Sequence, residues 1–277
     1  MCVTMLNKQV ELQNQTIAQL VSILNKYESV VAVALMGSHV NDKNTAFSDI
    51  DLLVVFKDDK RDGLREVFED VLAIKPVLSS LYQVYDKMSL ILFEDGVRLD
   101  MDMGKRSEFD GWMLEPVKVL FDKEGVFDRM LKKSGGKRVN ADKPKWNDKE
   151  GSFVDWFFWM FRQAYAYVCQ SEVMLTKSFE KKDLALASIK SIRDKLLNVV
   201  YYLHGQRDYL VDIDAGWLAK FEKTYPSNLV GEIKSSVWVL VDLYEDIMSR
   251  YCAKERLAFP IKKVIKIKEL LDEFDKI

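Results

Sequence analysis

The sequence predicts an α+β (α/β) domain with a mixed sheet, followed by an all-α helical bundle. Up to about residue 135, apolar runs of strand length alternate with helically spaced segments; beyond about residue 150, every segment keeps the helical period. Between them, the polar stretch 132–150 contains Gly-Gly and Pro and almost no apolar side chains. The expected organisation is a first domain at 1–135, a linker at 136–150 and a helical domain at 151–277.

Taking the segments in order, residues 6–26 space Leu6, Val10, Leu12, Ile17, Leu20, Val21 and Leu24 close to a helical period. Val30–Met36 is a strand-length run rich in valine that ends at Gly37-Ser38. After a polar loop, Asp49–Phe56 is a second strong strand, and residues 62–74 return to helical spacing. Met88–Phe93 and Val97–Met103 flank Glu94-Asp95-Gly96, which predicts a hairpin closed by a short Asp-Gly turn. Val117–Phe121 adds a last strand. In the second half, 151–170 is rich in aromatic residues, and 183–204, 214–224, 229–250 and 260–275 are expected helices.

Composition narrows the class. The chain has 277 residues, 48% hydrophobic, with only 5 Pro and 12 Gly, which excludes general disorder and low-complexity architecture. Its 41 basic and 43 acidic residues leave a net charge of −2, so no broad basic face for extended nucleic acid is expected. Cys2, Cys169 and Cys252 lie far apart without a CxxC pair, against a disulfide framework or a cysteine zinc site. The N-terminal residues lack a basic start and apolar run, and Val30–Met36 is too short to span a bilayer; a cytoplasmic setting without membrane contact is expected.

The chemistry is concentrated in Gly37-Ser38, ten residues, then Asp49-Ile50-Asp51. Strand residues i and i+2 share a face, about 6.5–7 Å apart, so Asp49 and Asp51 project together. Two carboxylates so placed repel and are costly to bury without a cation. Hard oxygen ligands on one face suit Mg²⁺ bound together with substrate phosphates. Gly37 permits close approach of backbone to phosphate, and Ser38 offers hydroxyl and amide donors. A third carboxylate comes from Val97-Arg98-Leu99-Asp100-Met101-Asp102, where Asp100 or Asp102 completes a metal site or accepts a proton from an attacking hydroxyl.

The pattern Gly-Ser, ten residues, Asp-Ile-Asp-Leu-Leu-Val-Val-Phe, then Arg-Leu-Asp-Met-Asp-Met some fifty residues on, resembles the nucleotidyltransferase fold of the DNA polymerase β superfamily. With the helical second half, it is similar to the antibiotic nucleotidyltransferases, of the aminoglycoside 6-adenylyltransferase and two-domain lincosamide types. The motif match covers roughly residues 30–103. This resemblance implies transfer of a nucleoside monophosphate, most simply AMP from ATP, to a hydroxyl of a small antibiotic. It implies Asp49, Asp51 and Asp100 as catalytic Mg²⁺ ligands, since the hairpin Asp95–Asp100 matches the family's third-carboxylate strand better at Asp100 than at Asp102. Gly37 and Ser38 are implied to hold the NTP phosphates. His39 departs from the pattern, because many streptomycin-type members carry Arg after the Gly-Ser. The other readings are nucleotidylation of a protein or RNA partner and a nucleotide-binding module without turnover. A monomer or homodimer is expected.

Other residues receive plainer expectations. His39, in a polar loop, is expected to be exposed, and His204 to sit structurally at a helix C-terminus. The aromatic stretch Trp156–Tyr167 is expected to be core rather than a stacking platform. Asp155, Glu172 and Asp194 are acidic candidates for recognising a cationic acceptor.

Overall fold

The computed structural model describes residues 2–41, 43–58, 63–85, 87–109, 116–134, 153–204 and 215–276. The chain divides into two compact units, Met1–Trp156 and Phe157–Lys276.

In the first unit, α1 (Cys2–Leu24) leads into β1 (Val30–Met36), a short 3-10 turn at Gly37–Val40, and β2 (Ile50–Phe56). Then follow α2 (Leu64–Leu72), β3 (Val77–Tyr85), β4 (Met88–Phe93), β5 (Arg98–Lys105), a 3-10 turn at Arg106–Phe109, β6 (Lys118–Asp122) and α3 (Val126–Ser134). The six strands form one sheet in the order β3-β4-β5-β2-β1-β6. Only β2 and β5 run parallel; the other neighbours are antiparallel, which makes the sheet mixed.

The apolar runs Val30–Met36 of β1 and Leu52–Phe56 of β2 are explained by their place. A strand in the middle of a sheet covered on both faces is mostly apolar, so the charges on β2 and β5 stand out. One face carries Val33, Leu35, Leu52, Val54, Phe56, Leu99 and Met101, packed with Leu20 and Leu24 of α1 and Val67, Phe68 and Val71 of α2. The opposite face packs Ala32, Ala34, Leu53 and Val55 against Val126, Phe127 and Met130 of α3. Asp51, Asp100 and Asp102 share this second face, by the alternation along β2 and β5.

Two elements of this unit have no counterpart in the sequence reading. β3 lies at the sheet edge, where Ser79, Ser80 and Gln83 break the apolar alternation that marks a strand. α3 is only nine residues long, and its last residues fall in the polar stretch taken as the approach to the linker. The Asp122 carboxylate fixes its start, accepting hydrogen bonds from the Val126 and Phe127 amides at 2.8 and 3.0 Å. The linker itself, 136–150, lies outside the described residues.

The second half contains α4 (Phe153–Val173), α5 (Ser178–Leu203), α6 (Ala215–Glu222), α7 (Val230–Glu255) and α8 (Ile261–Asp275). Every helical segment expected there is present. Within the second unit, Phe157, Phe158 and Phe161 of α4 surround Tyr244 of α7, with ring centroids 5.0 to 5.6 Å apart. These rings are buried, as are Trp156, Trp159 and Tyr165, so the aromatic stretch is core. His204 caps α5, and its ring lies 6.2 Å from that of Trp217 at an interplanar angle of 86°. No helix among the described residues is long and apolar enough to cross a membrane.

Candidate active site

The parallel pairing of β2 with β5 brings together carboxylates that are some fifty residues apart in sequence. Asp51 stands directly opposite Asp100, and Asp49 lies one residue before β2 begins. One carboxylate oxygen from each of Asp49, Asp51 and Asp100 falls within 4.8 Å of the others. Asp102 is opposite Leu53, two residues further along the strand, and is not in this group. Asp100 is therefore the third carboxylate of the cluster, and Asp102 sits behind it, buried.

Gly37-Ser38 meets the cluster through the antiparallel pairing of β1 with β2, which sets Met36 opposite Asp51. Gly37 follows with a φ of +63°, a left-handed conformation that favours glycine. A Cβ at this position would run into the Asp51 carboxylate oxygen. Gly37→Ala is therefore expected to combine backbone strain with displacement of a cluster carboxylate. The expected loss is about 2 kcal/mol of stability, checked by thermal unfolding.

The Ser38 hydroxyl is buried and has no hydrogen-bond partner among the described residues. Buried hydroxyls are normally satisfied, so this one is suited to a ligand oxygen. His39 corrects the expectation of exposure: it is only 4% exposed. The 3-10 turn at Gly37–Val40 folds its side chain inward, whereas a polar flanking sequence alone indicated an open loop.

Burial and like charge dominate the electrostatics. Burial, then the neighbouring Asp49 and Asp100 carboxylates, push Asp51 up to about 8. Burial and the Asp100 charge raise Asp102 to about 6, opposed by Lys87. A carboxylate that holds its proton more tightly folded than unfolded stabilises the fold at low pH and loses that contribution as pH rises. The metal-free protein is therefore expected to lose stability between about pH 4 and pH 8 through Asp51. Denaturant unfolding of wild type and Asp51→Asn across that range checks this: the wild-type curve should fall relative to the variant.

Two contributors carried no assigned role in the sequence reading. Arg98, at the start of β5, donates from Nε to Asp100 Oδ1 at 2.8 Å and from Nη2 to Asp100 Oδ2. Its Nη2 also lies 3.2 Å from Asp49 Oδ2. The available signal was an arginine two residues before a strand aspartate, hence on the same face. Gln13 of α1 is fully buried, and its amide donates to the Thr45 and Ser48 carbonyls at 3.0 and 3.1 Å. It also accepts from the Asn44 side chain at 3.1 Å. Gln13 thus pins the loop that delivers Asp49. No local pattern announces a contact across more than thirty residues.

The donor set fits a hard divalent cation. All three groups are carboxylates, and an unpartnered hydroxyl lies on the adjoining turn. In the helical unit, Glu172 pairs with Lys234 and Asp194 with Lys190, so neither is an isolated acidic group.

No curated protein matches the chain significantly. Among solved structures, it is similar to an aminoglycoside 6-adenyltransferase from Bacillus subtilis, at 13% identity, covering 91% of this chain and 94% of that one, with a TM-score of 0.28. It is also similar to the CD-NTase CdnG of Bradyrhizobium diazoefficiens in complex with GTP, at 11% identity, 96% and 92% coverage, and a TM-score of 0.26. The streptomycin adenylyltransferase family model matches residues 11–274, nearly the whole chain, so the protein belongs to that family and is a nucleotidyltransferase.

Proposed function

We propose that the protein transfers AMP from ATP to a hydroxyl of an aminoglycoside antibiotic and releases pyrophosphate. The observation that carries this reading is the convergence of Asp49, Asp51 and Asp100 beside the Gly37-Ser38 turn. Asp49, Asp51 and Asp100 hold Mg²⁺, and Gly37 and Ser38 hold the β- and γ-phosphates. Mg²⁺, when bound, neutralises phosphate charge and favours in-line displacement at phosphorus.

The chain's own groups have distinct tasks. The Gly37 backbone lets the triphosphate approach without a side chain intervening, and the Ser38 hydroxyl donates to a phosphate oxygen. The acceptor oxygen attacks the α-phosphorus, forming a P–O bond as the α–β phosphoanhydride bond breaks. Asp100 takes the hydroxyl proton, and pyrophosphate carries away the electron pair. Catalysis rests on positioning and charge neutralisation, with the helical unit supplying acceptor recognition. The reaction runs in the cytoplasm.

Pyrophosphate release from ATP, GTP, CTP and UTP with Mg²⁺, across a panel of aminoglycosides and lincosamides, tests this. Turnover with ATP and an aminoglycoside is expected. Turnover only with a lincosamide would change the acceptor. Labelling of a protein or RNA with no drug turnover would replace the reading.

A further inference from the structure

Arg98 is 4% exposed and inserted among the carboxylates that the proposed function assigns to the metal. Its guanidinium takes up both oxygens of Asp100 and lies against one oxygen of Asp49. These are the lone pairs a divalent cation needs, because a carboxylate whose two oxygens accept from one fork has little left for an ion on the same side. The positive charge between Asp49 and Asp100 also opposes the approach of a second cation.

We propose that Arg98 is the built-in cation of this cluster: it holds Asp49 and Asp100 in the metal-free protein, and a divalent cation gains the site by displacing it. The inference rests on the proposed function's assignment of Asp49, Asp51 and Asp100 as metal ligands. Arg98 thereby limits the affinity for free metal. Once released, its planar fork is matched to phosphate oxygens. An NTP arriving with its metal supplies the guanidinium with a replacement partner, whereas free metal does not. Arg98 is thus a positioning residue that couples metal entry to nucleotide entry.

The coupling has a thermodynamic form. If Arg98 must leave its carboxylates for metal to bind, anything that gives it another anionic partner raises metal affinity. Removing the guanidinium should raise affinity for free metal and shrink the further gain from nucleotide.

Direct titration of Mn²⁺, followed by the loss of its free-ion paramagnetic resonance signal, tests this on the full chain without turnover. Wild type, Arg98→Met and Arg98→Lys are compared, each alone and with a nonhydrolysable ATP analogue. Arg98→Met is expected to bind free Mn²⁺ about tenfold more tightly than wild type or better. The analogue should then improve its Mn²⁺ affinity less than it improves that of wild type. Arg98→Lys keeps the charge without the fork and should fall between the two. In chelator, Arg98→Met should melt below wild type, because Asp49 and Asp100 then repel without the guanidinium between them, and Mn²⁺ should raise its melting temperature by more.

Equal free-Mn²⁺ affinity in the three proteins overturns the role of Arg98 and leaves the metal site standing. Absence of Mn²⁺ binding in all three, with and without the analogue, overturns the metal site and with it the proposed function. If Arg98→Met does not fold, Arg98→Lys decides: a rise in free-Mn²⁺ affinity supports the proposal, and an unchanged value overturns it.

Discussion

Asp51→Asn is expected to cut nucleotidyl transfer by about 10³-fold or more while making the metal-free protein more stable. The activity loss follows from removing one of the three carboxylates proposed to hold the metal. A metal clamp contributes several kcal/mol to the transition state, and each ~1.4 kcal/mol is a factor of about ten in rate. The stability gain follows from the same geometry. Asp51 is held above its ordinary range, to about 8, by burial and by the charges of Asp49 and Asp100. An asparagine has a similar shape and no charge to repel, so the fold no longer works against two neighbouring carboxylates. Pyrophosphate release and denaturant unfolding at neutral pH measure the two effects. A variant with wild-type turnover would remove Asp51 from the proposed metal site. Asp49→Asn should lose activity similarly, without the gain in stability, because it removes an anion lying 3.2 Å from Arg98.

Asp100→Asn is expected to show the opposite stability effect with a comparable loss of activity. Asp100 is the two-point partner of the buried Arg98, and removing one member of a buried pair leaves the other charge uncompensated. Such losses run to ~3–5 kcal/mol, and the remaining contact of Arg98 with Asp49 places this one near the lower end. Unfolding curves in chelator for Asp51→Asn and Asp100→Asn should therefore shift in opposite directions from wild type. The contrast separates the two carboxylates by their surroundings, though both are assigned to one site. Asp102→Asn leaves the three clustered carboxylates in place and should retain far more activity than either.

Much of this was legible in the sequence because central strands and amphipathic helices carry strong local signals. Val30–Met36 and Asp49–Phe56 had to be buried strands, and Asp49 with Asp51 stood out as charges at the edge of unbroken apolar sequence. The edge strand Val77–Tyr85 and the short helix Val126–Ser134 were not legible, since neither is long or regular enough to show its period. His39 was misjudged for a related reason: its neighbours are polar, but a one-turn 3-10 helix determines where its side chain goes.

The sequence by itself determined the mixed α+β class, the helical character of the second half, and a shortlist of acidic residues with Gly37-Ser38. Those are properties of residue type and short-range spacing. Only the tertiary structure decided that Asp100, opposite Asp51 across the parallel β2–β5 pair, joins the cluster while Asp102 stands behind it. Only the tertiary structure turned Arg98 from one charged residue among many into the ion that bridges two of the three carboxylates. Register between strands fifty residues apart is fixed by the packing of both sheet faces at once, and no window of sequence contains that information.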